Sequence, residues 1–181
     1  MLIATTELMA ERGYGALTVA AVAIRAGVSK ATIYRRWPNK AAIAMDSFLA
    51  LTFPRMLDPD TGSSLNDLQL QLTSVVRAFR RPEIGGTIAA FIALGHTDPR
   101  LAQEFRDRFL ETRRPAAMRL LLRGVQRGEL RADLDYEVAV DALYGPVYYR
   151  LLVGHQPLNQ DFADKLVDHV YRGLATRPTS S

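Results

Sequence analysis

The sequence predicts an all-α protein: a small module of three short helices, then a larger helical bundle, about nine helices in total. Three observations carry this. Apolar residues recur at helical spacing along most of the 181 residues, and no strand-like alternation runs longer than four residues. Single glycines at Gly13 and Gly27 cut the first thirty residues into short pieces. Hydrophobic residues make up 48% of the chain and charged residues 23%, a balance that supports a packed core rather than a disordered chain.

In order along the chain, Leu2, Leu8 and Met9 share one face of a first helix that stops at Gly13, a residue suited to a left-handed C-cap. Thr18 is placed to cap a second helix over 19–26, which buries Val22, Ala23 and Ala26 and ends at Gly27. Ser29 caps a third helix running to about Trp37. Pro38-Asn39 breaks it, and Asn39 caps a fourth that continues through Phe53 to Pro54. The polar stretch 58–64 reads as a linker or loop. Later helices fall at about 65–80, 82–94, 99–127, 136–153 and 161–174, with Pro115 kinking or dividing the long one. A short polar tail, 177–181, closes the sequence. These breaks divide the chain into 1–45 and 46–181.

The last two predicted helices carry broad apolar stripes: Ala139, Leu143, Val147, Leu151 on one and Phe162, Leu166, Val170, Leu174 on the other. Each is wider than one neighbouring helix needs. They are either central to the bundle or meet a second copy of the chain, and the second reading makes Leu143, Val147, Leu151, Phe162, Leu166 and Val170 the candidate dimer contact.

Several function classes find no support. The chain has no cysteine, which excludes disulfides and thiol nucleophiles. No apolar run reaches the length of a membrane span and the N-terminus has no signal-peptide pattern, so the expected location is the cytoplasm, with no membrane partner. His96, His155 and His169 are scattered without metal-ligand spacing, and there is no glycine-rich phosphate loop and no nucleophile elbow. Acidic residues stand beside arginines, as in "EFRDRFLETRR", where pairing one turn apart accounts for them. No enzyme, metal site or cofactor is expected.

Charge points elsewhere. The formal net charge is +4, and all of it resides in residues 1–45, where Arg12, Arg25, Lys30, Arg35, Arg36 and Lys40 face only Glu7 and Glu11. The remainder of the chain balances. A local excess of this kind is the footprint of a phosphate-binding surface or of a solvated basic face.

The stretch "AGVSKATIYRRWPNK", 26–40, places that charge on a specific device. A short helix, a tight turn at Gly27 and a second short helix make a helix-turn-helix. Ala23 is small where the two helices cross, Gly27 supplies the positive φ of the turn, and Val28 and Ile33 lock the second helix inward. Lys30, Ala31, Thr32, Tyr34, Arg35 and Arg36 are left outside, at positions that enter the major groove of DNA in such units. Lys30 and Arg35 can donate to guanine edges or phosphates, Thr32 can touch a base and Tyr34 can reach a phosphate. Thr18 and Lys40 lie at helix N-termini that already favour an anion. Trp37 reads better as a core plug than as a stacking residue, and Arg12 and Arg25 as intramolecular ion-pair partners.

Residues 7–43, "ELMAERGYGALTVAAVAIRAGVSKATIYRRWPNKAAI", resemble the N-terminal DNA-binding region of TetR-family transcriptional regulators. The resemblance covers Glu-Arg-Gly-Tyr after helix one, Leu-Thr-Val opening helix two, Ala-Gly-Val-Ser-Lys and Ile-Tyr-Arg in helix three, and Trp-Pro-Asn-Lys before helix four. "RGELRADLD" and "YGPVYYRLLVGHQPL" resemble one branch of the family more weakly. The resemblance implies a ligand-responsive bacterial regulator, chiefly a repressor, with 1–45 binding double-stranded DNA and 46–181 binding an effector. It further implies a homodimer through the last two helices on a palindromic operator, released by a small molecule. Matched position by position, it implies DNA contacts at Thr18, Ser29, Lys30, Thr32, Tyr34, Arg35 and Lys40, with Ala31 beside them on the exposed face. Ala20 and Ala21 depart from the polar residues frequent early in helix two. Met1 falls inside helix one, where relatives have several more residues. Phe91, Phe105, Phe109, Met118, Tyr144 and Tyr148 are the candidate effector-lining residues; such a set suits a hydrophobic or aromatic ligand. Ordinary core packing is the competing account of each.

Overall fold

The computed structural model describes residues 1–52 and 57–176. Over these residues the chain forms ten α-helices and no strand; an isolated antiparallel bridge joins Leu130 to Ala175. The helices are α1 (Leu2–Arg12), α2 (Val19–Ala26), α3 (Lys30–Tyr34), α4 (Lys40–Thr52), α5 (Ser64–Phe79), α6 (Pro82–Gly95), α7 (Pro99–Phe105), α8 (Arg114–Gln126), α9 (Tyr136–Val153) and α10 (Gln160–Leu174). The expected end of the fourth helix at Phe53-Pro54 and the tail 177–181 lie outside the described residues.

The count rises from about nine to ten because the expected helix over 99–127 is divided. α7 passes into a five-residue π turn, Arg106–Leu110, and α8 begins afresh at Arg114. Pro115 sits in the first turn of α8, where its missing N–H removes no helical hydrogen bond. Pro115 opens the second helix rather than kinking a single one.

Capping follows the sequence closely. The Thr18 hydroxyl accepts from Ala21 N at 3.1 Å and the Ser29 hydroxyl from Thr32 N at 3.1 Å. Asn39 Oδ1 accepts from Ala42 N at 2.9 Å. Gly27 closes α2 in the left-handed region, at φ 64° and ψ 33°. Gly13 also has positive φ, but at ψ 165° it lies outside the left-handed helical well, in a region that glycine alone reaches readily.

By its packing the chain separates into two compact units, Met1–Pro54 with Arg81–Glu111, and Arg55–Arg80 with Thr112–Ser181. In the first, α1 packs on α2 and α4, α2 on α3, and α4 on α6 and α7. Its core is an aromatic chain. Phe48 meets Phe91 at 5.5 Å and Phe109 at 5.3 Å, and Phe105 stacks on Phe109 at 4.9 Å. Tyr14 joins this chain edge-on against Phe91 at 5.5 Å, so the N-terminal helices share a core with α6.

In the second unit α5 packs on α8, α9 and α10, and α9 bridges α8 and α10. Gly124 is small for a steric reason: a Cβ there would lie 2.6 Å from Leu130 Cδ1 and 2.8 Å from Ser64 Cβ. Three arginines one turn apart, two on α8 and Arg127 at its C-cap, hold the loop before α5 and the first turn of α5. Arg119 and Arg123 pair with Asp58, and Arg127 pairs with Asp60 and with Asp67 at 3.2 Å. Asp67 also accepts from Thr61 N at 2.7 Å. Burial alone would raise the Asp67 carboxyl, but its bonds to Thr61 and Arg127 hold it below the usual aspartate value.

Only part of the two stripes faces outward. Leu143 and Val147 are 1% and 0% exposed, and Phe162 is buried with the Arg150 guanidinium 3.7 Å from its ring centroid. These three are core side chains of the single chain, correcting their assignment to an outward face. Leu151, Leu166 and Val170 are half-buried, and the apolar side chains most exposed on α9 are Val138, Tyr149, Leu152 and Val153.

Candidate nucleic-acid interface

The helix-turn-helix is assembled from its buried side outward. Val19, Val22 and Ala23 of α2 and Ile33 of α3 are buried, and Val28 is half-buried in the turn. Gly27 N–H donates to Ile24 O at 3.2 Å and Val28 N–H to Ala23 O at 3.0 Å, closing the turn on the end of α2. These contacts fix the angle at which α3 leaves the body.

α3 is shorter than expected, ending at Tyr34 rather than near Trp37. Pro38 disfavours helical backbone at Trp37, so the helix relaxes into a turn. Trp37 N still donates to Ile33 O at 2.9 Å. The outward residues Lys30, Ala31, Tyr34, Arg35 and Arg36 are exposed, and Tyr34 remains 53% accessible although it is an aromatic residue. Among the described residues, the Lys30 and Arg35 side chains make no hydrogen bond or ion pair. Thr32 is half-buried, and its hydroxyl lies 3.0 Å from that of Ser29, so each occupies the other.

Lys40 is half-buried at the start of α4. Its ammonium lies 4.6 Å from the centroid of the Tyr14 ring and 3.5 Å from Gly15 O. Tyr14 is buried, and its hydroxyl donates to Asp98 Oδ2 at 2.9 Å. Burial, with Asp98 next to it, pushes the phenol far above its ordinary value, keeping it neutral.

The other cations differ. Arg25 is held by both carboxylate oxygens of Glu11, at 2.8 and 2.9 Å, and by Glu7 at 3.4 Å. The hydrogen bond from Arg25 lowers the Glu11 carboxyl. Arg12 reaches Glu11 only at 4.0 Å. Arg36 places its guanidinium 4.9 Å from the Trp37 ring centroid. Trp37 is 3% exposed and donates through Nε1 to Asp46 at 2.6 Å, making it the core plug its sequence context suggests.

The six candidate effector residues divide between the units. Phe91, Phe105 and Phe109 are buried against one another, Phe48 and Tyr14 in the first. Met118, Tyr144 and Tyr148 lie in the second. The Tyr144 hydroxyl donates to Gln71 Oε1, and the Gln71 amide donates to Leu57 O at 2.8 Å, so its phenol has a partner within the chain. Tyr148 packs edge-on against Phe79 at 5.2 Å, and no hydrogen bond of its hydroxyl is formed among the described residues. Burial raises the Tyr148 phenol to about 12, while Arg113 next to it acts in the opposite direction. Burial lowers the Arg113 guanidinium to about 10.

Sequence reading did not single out Tyr14, Asp46, Asp98 or Arg108 for the support of this surface. Their partners are far away in sequence, and local pattern gives no signal for such pairs. No group of His, Asp or Glu able to hold a metal occurs among the described residues, and no helix there is long and apolar enough to cross a membrane.

Residues 2–45 match the family model described as bacterial regulatory proteins, tetR family, and residues 58–170 match the tetracyclin repressor-like C-terminal domain. The chain is 44% identical over 182 residues to YdeS, an uncharacterized HTH-type transcriptional regulator of Bacillus subtilis; the match covers 100% of this chain and 91% of the relative. It is 29% identical over 175 residues to the DNA-binding transcriptional repressor TetR of Mycobacteroides abscessus, covering 94% and 89%. The crystal structure of the TetR family transcription regulator SCO0332 superposes with a TM-score of 0.81 at 34% identity, over 97% of this chain and 96% of the other.

Proposed function

The chain belongs to the TetR family of bacterial transcriptional regulators, and on that footing we propose that it is a repressor that binds a palindromic operator as a homodimer and is released by a small-molecule effector. The observation that carries the DNA half is the charge state of α3. Lys30 and Arg35 stand exposed with no side-chain partner among the described residues, while nearby Arg25 is neutralised by Glu11 and Glu7. A phosphate backbone across α3 supplies the missing counter-charge. Lys30, Ala31, Thr32, Tyr34 and Arg35 face the groove, and Thr18, Ser29 and Lys40 hold phosphates at helix N-termini.

The repressor sign is supported by the name of the Mycobacteroides relative. Dimerisation is supported by the exposed Val138, Tyr149, Leu152 and Val153 on α9, together with the half-buried Leu151, Leu166 and Val170. A hydrophobic or aromatic effector is the reading of the second unit, with Met118 and Tyr148 as its lining and the Tyr148 hydroxyl as the hydrogen-bonding group that a ligand satisfies. A protein working on chromosomal DNA acts in the cytoplasm.

Selection of bound duplexes from a random pool, at about 0.15 M salt to suppress non-specific binding, tests the reading. Enrichment of an inverted repeat with half-sites one helical turn or a multiple apart is the expected result. A single unpaired half-site would overturn the dimer, and no enriched sequence would overturn operator recognition by this chain.

A further inference from the structure

The Asp46 carboxylate is shared between two distant parts of the chain. It accepts from Trp37 Nε1 at 2.6 Å and pairs with the Arg108 guanidinium. Trp37 stands three residues past the end of α3 and carries Arg36 over its ring, 4.9 Å from the centroid. Arg108 lies in the π turn Arg106–Leu110 and also reaches Glu104 at 3.1 Å. One carboxylate thus joins the C-terminal end of the recognition helix to the π turn, inside one compact unit.

The tie is tight. Burial alone would raise the Asp46 carboxyl; the bonds from Arg108 and Trp37, with the charge of Arg36, more than reverse that and hold it below the usual aspartate value. It stays ionised, so both donors keep a charged acceptor, the stronger kind of hydrogen bond.

The π turn makes the tie conditional. Such a turn takes up one residue more than an α turn and recurs as a local strain at functional positions. Returning this segment to α geometry rotates the side chains that follow by about 100° relative to those before it. That step would withdraw Arg108 from Asp46 and leave Trp37 with an acceptor no longer fixed in place.

We propose that Asp46 is a positioning residue for DNA recognition, and that by holding Trp37 and Arg108 together it makes the setting of the end of α3 depend on the π turn. This rests on α3 being the helix that reads DNA. Arg36 and Arg35 are the cations whose placement the tie controls.

Trp37 is the only tryptophan in the chain, so its emission reports on the surroundings of this one side chain, the Asp46 bond among them. The test uses the full chain, the duplex selected from the random pool, and the variants Arg108→Gln, Arg108→Lys and Asp46→Asn, with Thr32→Ala and Lys40→Ala in parallel. Arg108→Gln is expected to shift Trp37 emission and weaken duplex binding roughly tenfold, the scale of one hydrogen bond to a charged group. Arg108→Lys restores most of both, and Asp46→Asn shifts emission further. Wild-type emission and affinity in Arg108→Gln overturn the proposal. So does a loss of affinity that follows a lowered melting temperature with emission unchanged, because a merely structural contact behaves that way. If Thr32→Ala and Lys40→Ala also bind as the wild type does, the assignment of α3 has failed, and the proposal falls with it.

Discussion

The ammonium of Lys40 rests 4.6 Å from the centre of the Tyr14 ring, while the hydroxyl of the same ring is bonded to Asp98, the N-cap of α7. One side chain therefore supports the Lys40 cation on its face and anchors itself through its edge. A cation over an aromatic face contributes about 0.5–2 kcal/mol, depending on desolvation. A hydrogen bond of the Tyr14–Asp98 kind contributes about 1 kcal/mol net.

These two roles separate by mutation. Tyr14→Phe keeps the ring and loses the hydrogen bond; it is expected to destabilise the fold by about 1 kcal/mol while leaving duplex affinity within about twofold. Tyr14→Leu loses the face as well and is expected to weaken binding to every duplex. Thermal unfolding and fluorescence anisotropy distinguish the two. Equal affinities would show that Lys40 does not depend on the ring.

Lys40 and Thr32 are expected to fail differently. Lys40→Ala should weaken binding to all sequences and reduce the salt slope by about one phosphate's worth. Thr32→Ala should alter preference at one base position per half-site and free the Ser29 hydroxyl, which now faces Thr32 at 3.0 Å. Titrations at three salt concentrations against matched and substituted duplexes check both. Uniform weakening by each would abolish this division.

Two glycines give opposite outcomes. Gly124→Ala pushes a methyl to 2.6 Å from Leu130 Cδ1 and is expected to cost about 1–3 kcal/mol through overpacking. Gly86→Ala, in α6 with nothing within 4 Å of the new Cβ, is expected to stabilise by about 0.5–1 kcal/mol. Denaturant melts of the pair would reveal it; a loss in both would mean that α6 has a tighter surrounding than its spacing indicates.

Acid should expose the loop clamp. Asp58 and Asp67 are held below the ordinary aspartate value of 3.8 in the folded protein. Groups lowered by folding contribute stability that is fully present above the unfolded value and is lost as pH falls through the folded one. The melting temperature should therefore hold down to about pH 4.5 and fall below about pH 4. Asp67→Asn should melt lower at neutral pH and lose less on acidification. A parallel decline in both proteins would show that Asp67 does not carry the effect.

Local chemistry was readable and distant pairing was not. Thr18, Ser29 and Asn39 cap the helices their positions imply, because a cap is settled within three residues. Trp37 was recognisable as a plug because Pro38 ends the helix beside it. Asp46–Arg108 and Tyr14–Asp98 span 62 and 84 residues, and no periodicity links such partners. The burial of Leu143, Val147 and Phe162 within the single chain was hidden for a related reason. Apolar width shows that Leu143 and Val147 are covered, but not that α5 and α8 already do the covering. Phe91, Phe105 and Phe109 fall in the first unit because of contacts with Phe48 and Tyr14, neither of which the spacing of α6 and α7 discloses.

The arginine–aspartate clamp on α8 has a consequence at long range. With Asp58, Asp60 and Asp67 set against Arg119, Arg123 and Arg127 at close quarters, those six charges cancel as short multipoles whose field dies away within a few ångströms of the surface. Exposed cations with no paired carboxylate among the described residues, Lys30 and Arg35 included, keep a longer reach. On the proposed DNA-binding role, a duplex diffusing towards the protein is turned towards that surface before any atom touches, and residues that cancel one another elsewhere raise the fraction of productive encounters.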